Sequence, residues 1–265
     1  MLTIALLLIV LALIDTVTRY FSMPFSSQAF FFSVVWGLLT IYFLIIAYRS
    51  PRVGFLLSFF GLLVLLRILS ENHLYSAIPV FLSFLVLVIL FFYIVYCNIK
   101  DFAASQQFFY GIPIRLSSVE WHLVFVRMYI GFDLIAHCTE KLFSGPVPYQ
   151  VDVKAFAALG ILNAGFFVKL AGLIELGGAI SLGLGFLTRV GAIGTALYLL
   201  IATKLGHHFR LGFIWADPGG GWEYPVMWSA LILSFAVFGD TGRYSIDGVL
   251  QEKYKLPIWL KKLMC

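Results

Sequence analysis

Long apolar runs, almost free of charge, restrict this chain more than any other feature. They recur at about residues 2–17, 29–47, 53–69, 74–97, 121–142, 168–187, 190–205 and 224–238. A run of about 20 residues, rising ~1.5 Å per residue, crosses the ~30 Å hydrocarbon core, so such runs read as membrane spans. The runs are continuous rather than alternating. That selects helices over a barrel, because a helix satisfies its own backbone in lipid. The expected fold class is therefore all-α: a polytopic membrane protein of about eight transmembrane helices. Composition agrees, at 62% hydrophobic and 12% charged, with a mean hydropathy of +0.99. The 27 Phe, 13 Tyr and 6 Trp suit lipid-facing surfaces and interfacial belts.

The N-terminal apolar stretch is expected to be the first span, since it lacks the basic n-region and small-residue cleavage site of a signal peptide. The net charge is +5, with the basic residues in loops and in the C-terminal segment. Membrane topology and anionic lipid explain that placement, and nucleic acid is not an expected partner. With the N-terminus in the cytoplasm, the larger share of the 18 Lys and Arg falls on the cytoplasmic side, as the positive-inside rule prefers. Both termini are then cytoplasmic, in a multi-pass plasma-membrane protein. Residues 1–100 form an N-terminal four-span region, 101–119 a polar connecting loop, 120–248 a second four-helix bundle, and 249–265 a basic tail. No internal repeat of the kind that builds inverted-repeat transporters is visible.

Cys97, Cys138 and Cys265 are far apart and make no CxxC pair, which argues against a thioredoxin-like motif or a zinc knuckle. The adjacent His207 and His208 point about 100° apart on a helix and cannot share one metal from one face. No metal site is expected. The Gly219–Gly221 run follows turn chemistry at Asp217-Pro218, without the lysine of a P-loop. Trp215, Trp222, Tyr224 and Trp228 read as an interfacial belt.

The informative charges are Arg127, Asp133, His137, Glu140 and Lys141 in one apolar segment, with Glu175 in another. Ionisable groups within a membrane are costly, so they are normally paired and mark function. Asp133, His137 and Lys141 follow i, i+4, i+8 spacing and can form a ladder of carboxylate, imidazole and ammonium, while Glu140 reaches back to His137. A histidine so placed can shuttle protons or bond a quinone carbonyl. Glu175 lies among Gly172, Gly177, Gly178 and Gly185, small residues that let helices approach closely, so it is expected to face another helix. Arg127 or His137 is its expected partner.

The stretches RMYIGFDLIAHCTEKLF (127–143), LAGLIELGGAISLGLGFLTRVGA (170–192) and GGGWEYPVMWSALILSFAVFGDTGRYSID (219–247) resemble the DoxX family of small four-helix membrane proteins, including its DoxD-like branch. The corresponding positions are Arg127, Gly131, His137, Lys141, Leu142, Glu175, Arg189, Glu223, Arg243 and Asp247. The resemblance covers about residues 120–248, with Cys138 where the family often has glycine and four further spans ahead of it. It implies a four-helix bundle and an association with membrane redox chemistry. Some relatives are subunits of thiosulfate:quinone oxidoreductases, and others are linked to oxidative-stress complexes.

The expected function is a DoxX-type component of quinone-linked redox chemistry. His137, Lys141 and Glu175 are the expected catalytic groups, and His137 and Lys141 would contact a quinone or an anionic substrate. Arg127, Asp133, Glu140 and Glu223 complete the expected quinone site, with Arg127 and Glu175 paired and Asp133 orienting His137. Quinone is the expected cofactor. The chain shows no haem, flavin or metal motif, so electrons would come through a soluble or membrane redox subunit. The alternatives are a non-enzymatic scaffold or assembly protein for a redox complex, and a small-molecule transporter.

Overall fold

The structure is a computed structural model that describes residues 1–22, 26–104, 108–109, 112–113, 118–238 and 244–264, with side chains described outside 51–52, 73–76 and 97–122. The helices of the N-terminal half are α1 (Leu2–Ser22), α2 (Ser27–Arg49), α3 (Pro51–Glu71) and α4 (His73–Ala104). After them come a two-residue antiparallel ladder, Phe108–Phe109 with Ile112–Pro113, and then α5 (Ser118–Leu142), α6 (Pro146–Ala158) and α7 (Ala164–Gly178). The chain is completed by α8 (Thr188–Leu205), α9 (His208–Leu211), α10 (Glu223–Phe238), α11 (Ile246–Lys253) and α12 (Ile258–Leu263). Each expected span has its helix. Among the described residues, five segments are long and apolar enough to cross a membrane by length and composition: Leu2–Ser22, Ser27–Arg49, Val53–Glu71, Ala77–Tyr96 and Ala164–Gly183. α5 carries Arg127, Asp133, Glu140 and Lys141 among its apolar residues, and α10 is shorter, at 16 residues.

The chain divides into two compact units. One comprises Met1–His122 with Phe143–Pro148, and the other Leu123–Leu142 with Tyr149–Cys265. In the first unit α1 packs on α2 and α4, and α3 on α2 and α4. Small residues at helical spacing make the seams. α1 buries Ala5, Ile9, Ala12 and Thr16, and α2 buries Ala29, Ser33, Gly37, Thr40, Leu44 and Ala47. Such stripes let backbones approach, so packing replaces the hydrophobic drive that lipid lacks. The buried hydroxyls of Thr16, Ser33 and Ser58 donate to the carbonyls of Ala12, Ala29 and Gly54, one turn back. Large side chains such as Phe31, Leu38 and Tyr42 lie on the opposite, exposed face. α4 continues in helix through Asn98 to Ala104, beyond the boundary expected at Cys97.

The second unit is a bundle of α5, α7, α8 and α10. α7 packs on α8 and α8 on α10. Gly131 of α5 meets the backbone of Gly183, where a side chain of any size would collide. α7 does not end at Gly178 but winds on as a π-helical turn, Ala179–Gly183. A π turn leaves carbonyls out of the ordinary helical ladder. Those of Leu182 and Gly183 accept from the guanidinium of Arg127, at 2.6 and 3.1 Å, and Arg127 also donates to the carbonyl of Tyr244. Next to this clamp, Leu187 takes a left-handed backbone (φ 50°) at the start of α8. The carboxylate of Asp247 accepts from the N–H groups of Leu187 (2.9 Å) and Thr188 (3.0 Å), and from the Thr188 hydroxyl (2.9 Å). Asp247 thus caps a helix distant from it in sequence.

Candidate functional site

The ions of the second unit separate into three places. The first is the Arg127 clamp, fully buried against backbone carbonyls. The expected pairing of Arg127 with Glu175 is corrected by this geometry. The π turn presents carbonyls to Arg127 from the C-terminal extension of α7, whereas Glu175 lies earlier on α7 and has other partners.

The second place is a buried cluster at the C-terminal end of α5. Lys141 Nζ lies 3.2 Å from Glu175 Oε2 and 3.3 Å from Glu140 Oε1, and donates to the carbonyl of His137 at 3.0 Å. Tyr198 of α8 donates to Glu175 Oε1 at 2.6 Å. Gly172, one turn before Glu175, sits against Leu142 and Lys141, so its lack of a side chain lets α5 and α7 close over the pair. Asp152 of α6 joins the cluster electrostatically. Its Oδ2 is shielded from solvent and accepts no hydrogen bond among the described residues. α6 is too short to span a membrane. Burial pushes the Asp152 carboxyl above its usual range, with the Lys141 ammonium pulling it down and the Glu140 carboxylate pushing it further up. Neither Asp152 nor Tyr198 was among the expected site residues, because each lies on an element whose own sequence shows no polar stripe.

The third place is a pocket of about 330 Å³ between α5, α8, α10 and the 206–222 loop. Its polar and aromatic wall is Asp133, His137, His208, Trp215, Tyr224 and Trp228. That volume is at the lower end of the range for small-molecule sites. The expected ladder of Asp133, His137 and Lys141 is therefore divided. Asp133 and His137 are exposed to the pocket, while Lys141 turns inward. The reason is helical drift: four residues exceed one turn by about 40°, so position i+8 has rotated about 80° from position i. His137 faces Glu140 instead of Asp133, with Nδ1 3.7 Å from Oε1. Glu140 thus touches both His137 and Lys141, and joins the pocket to the buried cluster.

The loop that closes the pocket is held by its own polar contacts. Trp222 and Glu223 donate backbone N–H groups to the carbonyls of Gly212 and Phe213. The His208 ring contacts the carbonyl of Gly220 through Nδ1 at 2.8 Å. Glu223, expected to touch ligand, spends Oε2 on the backbone N–H of Trp215 at 3.2 Å, and so fixes the tryptophan instead. The aromatic residues read as an interfacial belt are partly pocket wall: Trp215 stands 5.7 Å from both the His208 and Tyr224 rings, and Trp228 stacks on Tyr129 at 5.7 Å.

Among the described residues, no group of three His, Cys, Asp or Glu side chains is placed to hold a metal ion. Cys138 is buried, with its thiol directed to the carbonyl of Ile135, and behaves as a core residue. Arg189 donates to the carbonyl of Lys262 in the C-terminal segment, while Arg243 lies outside the described residues.

Neither a curated protein nor a solved structure matches the chain. The family model for DoxX matches residues 122–208, from the second turn of α5 to the first residue of α9. That segment contains Arg127, Asp133, His137, Glu140, Lys141, Glu175 and Tyr198, and stops short of α10 and Asp247. The second unit thus carries a DoxX-like segment within an integral, multi-pass, all-α membrane protein.

Proposed function

We propose that this protein binds the head group of a membrane quinone or quinol in the pocket beside His137, as the membrane component of a redox assembly. One observation carries the reading: a cavity of about 330 Å³, walled by large aromatic rings, brings an imidazole to its surface and backs that imidazole with Glu140. Planar rings stack on Trp and Tyr faces. Conversion between quinone and quinol moves two electrons and two protons. His137 would exchange a proton at the ligand oxygen, and Glu140 would hold its Nδ1–H and stabilise the imidazolium. Lys141 and Glu175 would position Glu140 rather than touch the ligand, since both are buried in their own pair. An anionic substrate is disfavoured in this pocket, because its charged lining group is the Asp133 carboxylate. The electrons would pass to or from a soluble or membrane partner. The plasma membrane, with both termini in the cytoplasm, is the setting that the distribution of basic residues supports.

The test is binding of a short-chain quinone/quinol couple to the full-length protein in lipid nanodiscs. His137→Ala is expected to weaken binding about tenfold or more, the equivalent of one charge-assisted hydrogen bond, while the helical circular dichroism signal stays unchanged. Equal binding by a folded His137→Ala protein would defeat the assignment.

A further inference from the structure

Hydrogen-bond accounting in the same pocket says which redox form it is built to hold. A backbone carbonyl only accepts, so the 2.8 Å contact between His208 Nδ1 and Gly220 O places the ring proton on Nδ1 and leaves Nε2 of the neutral ring as an acceptor. The carboxylate of Glu140 likewise only accepts. It lies 3.7 Å from His137 Nδ1, and a neutral His137 ring that turns its N–H toward this carboxylate presents Nε2 as an acceptor. Asp133 has no hydrogen bond or ion pair with any described residue, and an ionised carboxylate offers acceptors alone. Thr203, also in the wall, has its hydroxyl proton on the carbonyl of Leu199 at 2.6 Å. The remaining donors are the ring edges of Trp215, Trp228 and Tyr224.

The wall therefore carries the Asp133 carboxylate, an acceptor, together with His137 and His208, whose neutral rings add acceptors at Nε2. A quinone presents only carbonyl acceptors and would leave them without donors. A hydroquinone presents two hydroxyl donors on the same planar ring. A carboxylate inside a membrane protein is costly without a donor or a counter-charge, and a hydroxyl supplies the donor. We infer that the pocket selects the hydroquinone form, with one ligand hydroxyl on the carboxylate of Asp133. The inference rests on the quinone/quinol assignment above and specifies which of the two forms binds. Asp133 is then a specificity-determining residue, and His137 the acceptor for the second hydroxyl.

Calorimetric titration of the full-length protein in nanodiscs, under anaerobic conditions, separates the possibilities. The probes are a short-chain alkyl benzoquinol and the corresponding benzoquinone. The wild-type protein is expected to bind the quinol about tenfold more tightly than the quinone, one charge-assisted hydrogen bond's worth of discrimination. Asp133→Asn exchanges a pure acceptor for a group that also donates, and is expected to bring the ratio within about threefold or to invert it. Asp133→Glu keeps the preference. The side chain is exposed to the pocket, so neither variant disturbs packing. A wild-type protein that holds the quinone as tightly as the quinol, or an Asp133→Asn variant with an unchanged ratio, overturns this inference and leaves the quinone assignment standing. Failure of the wild-type protein to bind either form overturns both.

Discussion

Lys141 and Glu175 form an ion pair at 3.2 Å, with only 8% and 7% of their side chains exposed, that ties α5 to α7 inside the DoxX-like segment. A buried pair of this kind gains little over apolar packing, yet removing one partner is costly because the other is left as an uncompensated charge. Glu175→Ala is expected to destabilise the protein by about 3 kcal/mol. The double variant Lys141→Met/Glu175→Ala, compared with each of its single variants, should recover most of that loss, since both charges are gone. Thermal unfolding in mild detergent provides the double-mutant cycle. A double variant no more stable than the single would show that the two residues are not coupled.

Asp247 provides a second test, remote from the pocket. Its carboxylate holds the N–H groups of Leu187 and Thr188 at the start of α8. Asp247→Ala should cost about 1–2 kcal/mol, the range of a lost helix cap. The cost should appear as faster proteolysis between α7 and α8. Leu187 has φ 50° there, a conformation that glycine adopts without strain. Leu187→Gly should therefore relieve backbone strain while losing the leucine's packing, and should be far milder than Asp247→Ala.

Glycines in the same bundle separate into close approaches and open surface. A methyl group at Gly131 would collide with the Gly183 backbone, so Gly131→Ala should force α5 off the π turn and cost about 1–3 kcal/mol or more. Gly177 and Gly194 face open space in an apolar groove of about 300 Å³ between α7 and α8. Alanine there should be tolerated, with a gain of about 0.5–1 kcal/mol in helix propensity. Melting temperatures of the three variants order the sites. Similar effects at all three would contradict the packing described.

Asp152 predicts a direction for pH dependence. Burial raises its carboxyl above the ordinary value, so the folded protein binds that proton more tightly than the unfolded chain does. This group therefore stabilises the fold progressively as pH falls through its raised value toward the ordinary aspartate range, and the contribution is lost as pH rises. Asp152→Asn should raise the melting temperature at neutral pH and flatten its rise on acidification. A variant that melts lower at neutral pH would show that Asp152 is needed as a charge beside Lys141.

Much of the fold is legible in the chain itself. Hydropathy and run length placed a helix at each expected span, because the thickness of a bilayer and the closed hydrogen bonding of a helix are local demands. The order of polar residues from Arg127 to Glu175 was enough to suggest the DoxX likeness that the match over residues 122–208 supports. Helical spacing also indicated that Glu140 reaches His137. Spacing misassigned other partners. Counting along one helix put Asp133, His137 and Lys141 on a common line, but it could not show which neighbour each would meet.

Those choices belong to tertiary structure. Arg127 clamps carbonyls left free where α7 ends after its π turn, a feature without a hydropathy signature. Tyr198 and the 206–222 loop reach the α5 ions from elements distant in sequence, and Asp152 from the following helix, and they decide that Lys141 is buried while Asp133 faces a cavity. Apolar patterning determines that a segment enters lipid, since transfer free energy depends on each residue's own surface. The pairing of charges depends on how helices rotate against one another, and that is settled by glycine contacts and backbone turns spread across the whole bundle.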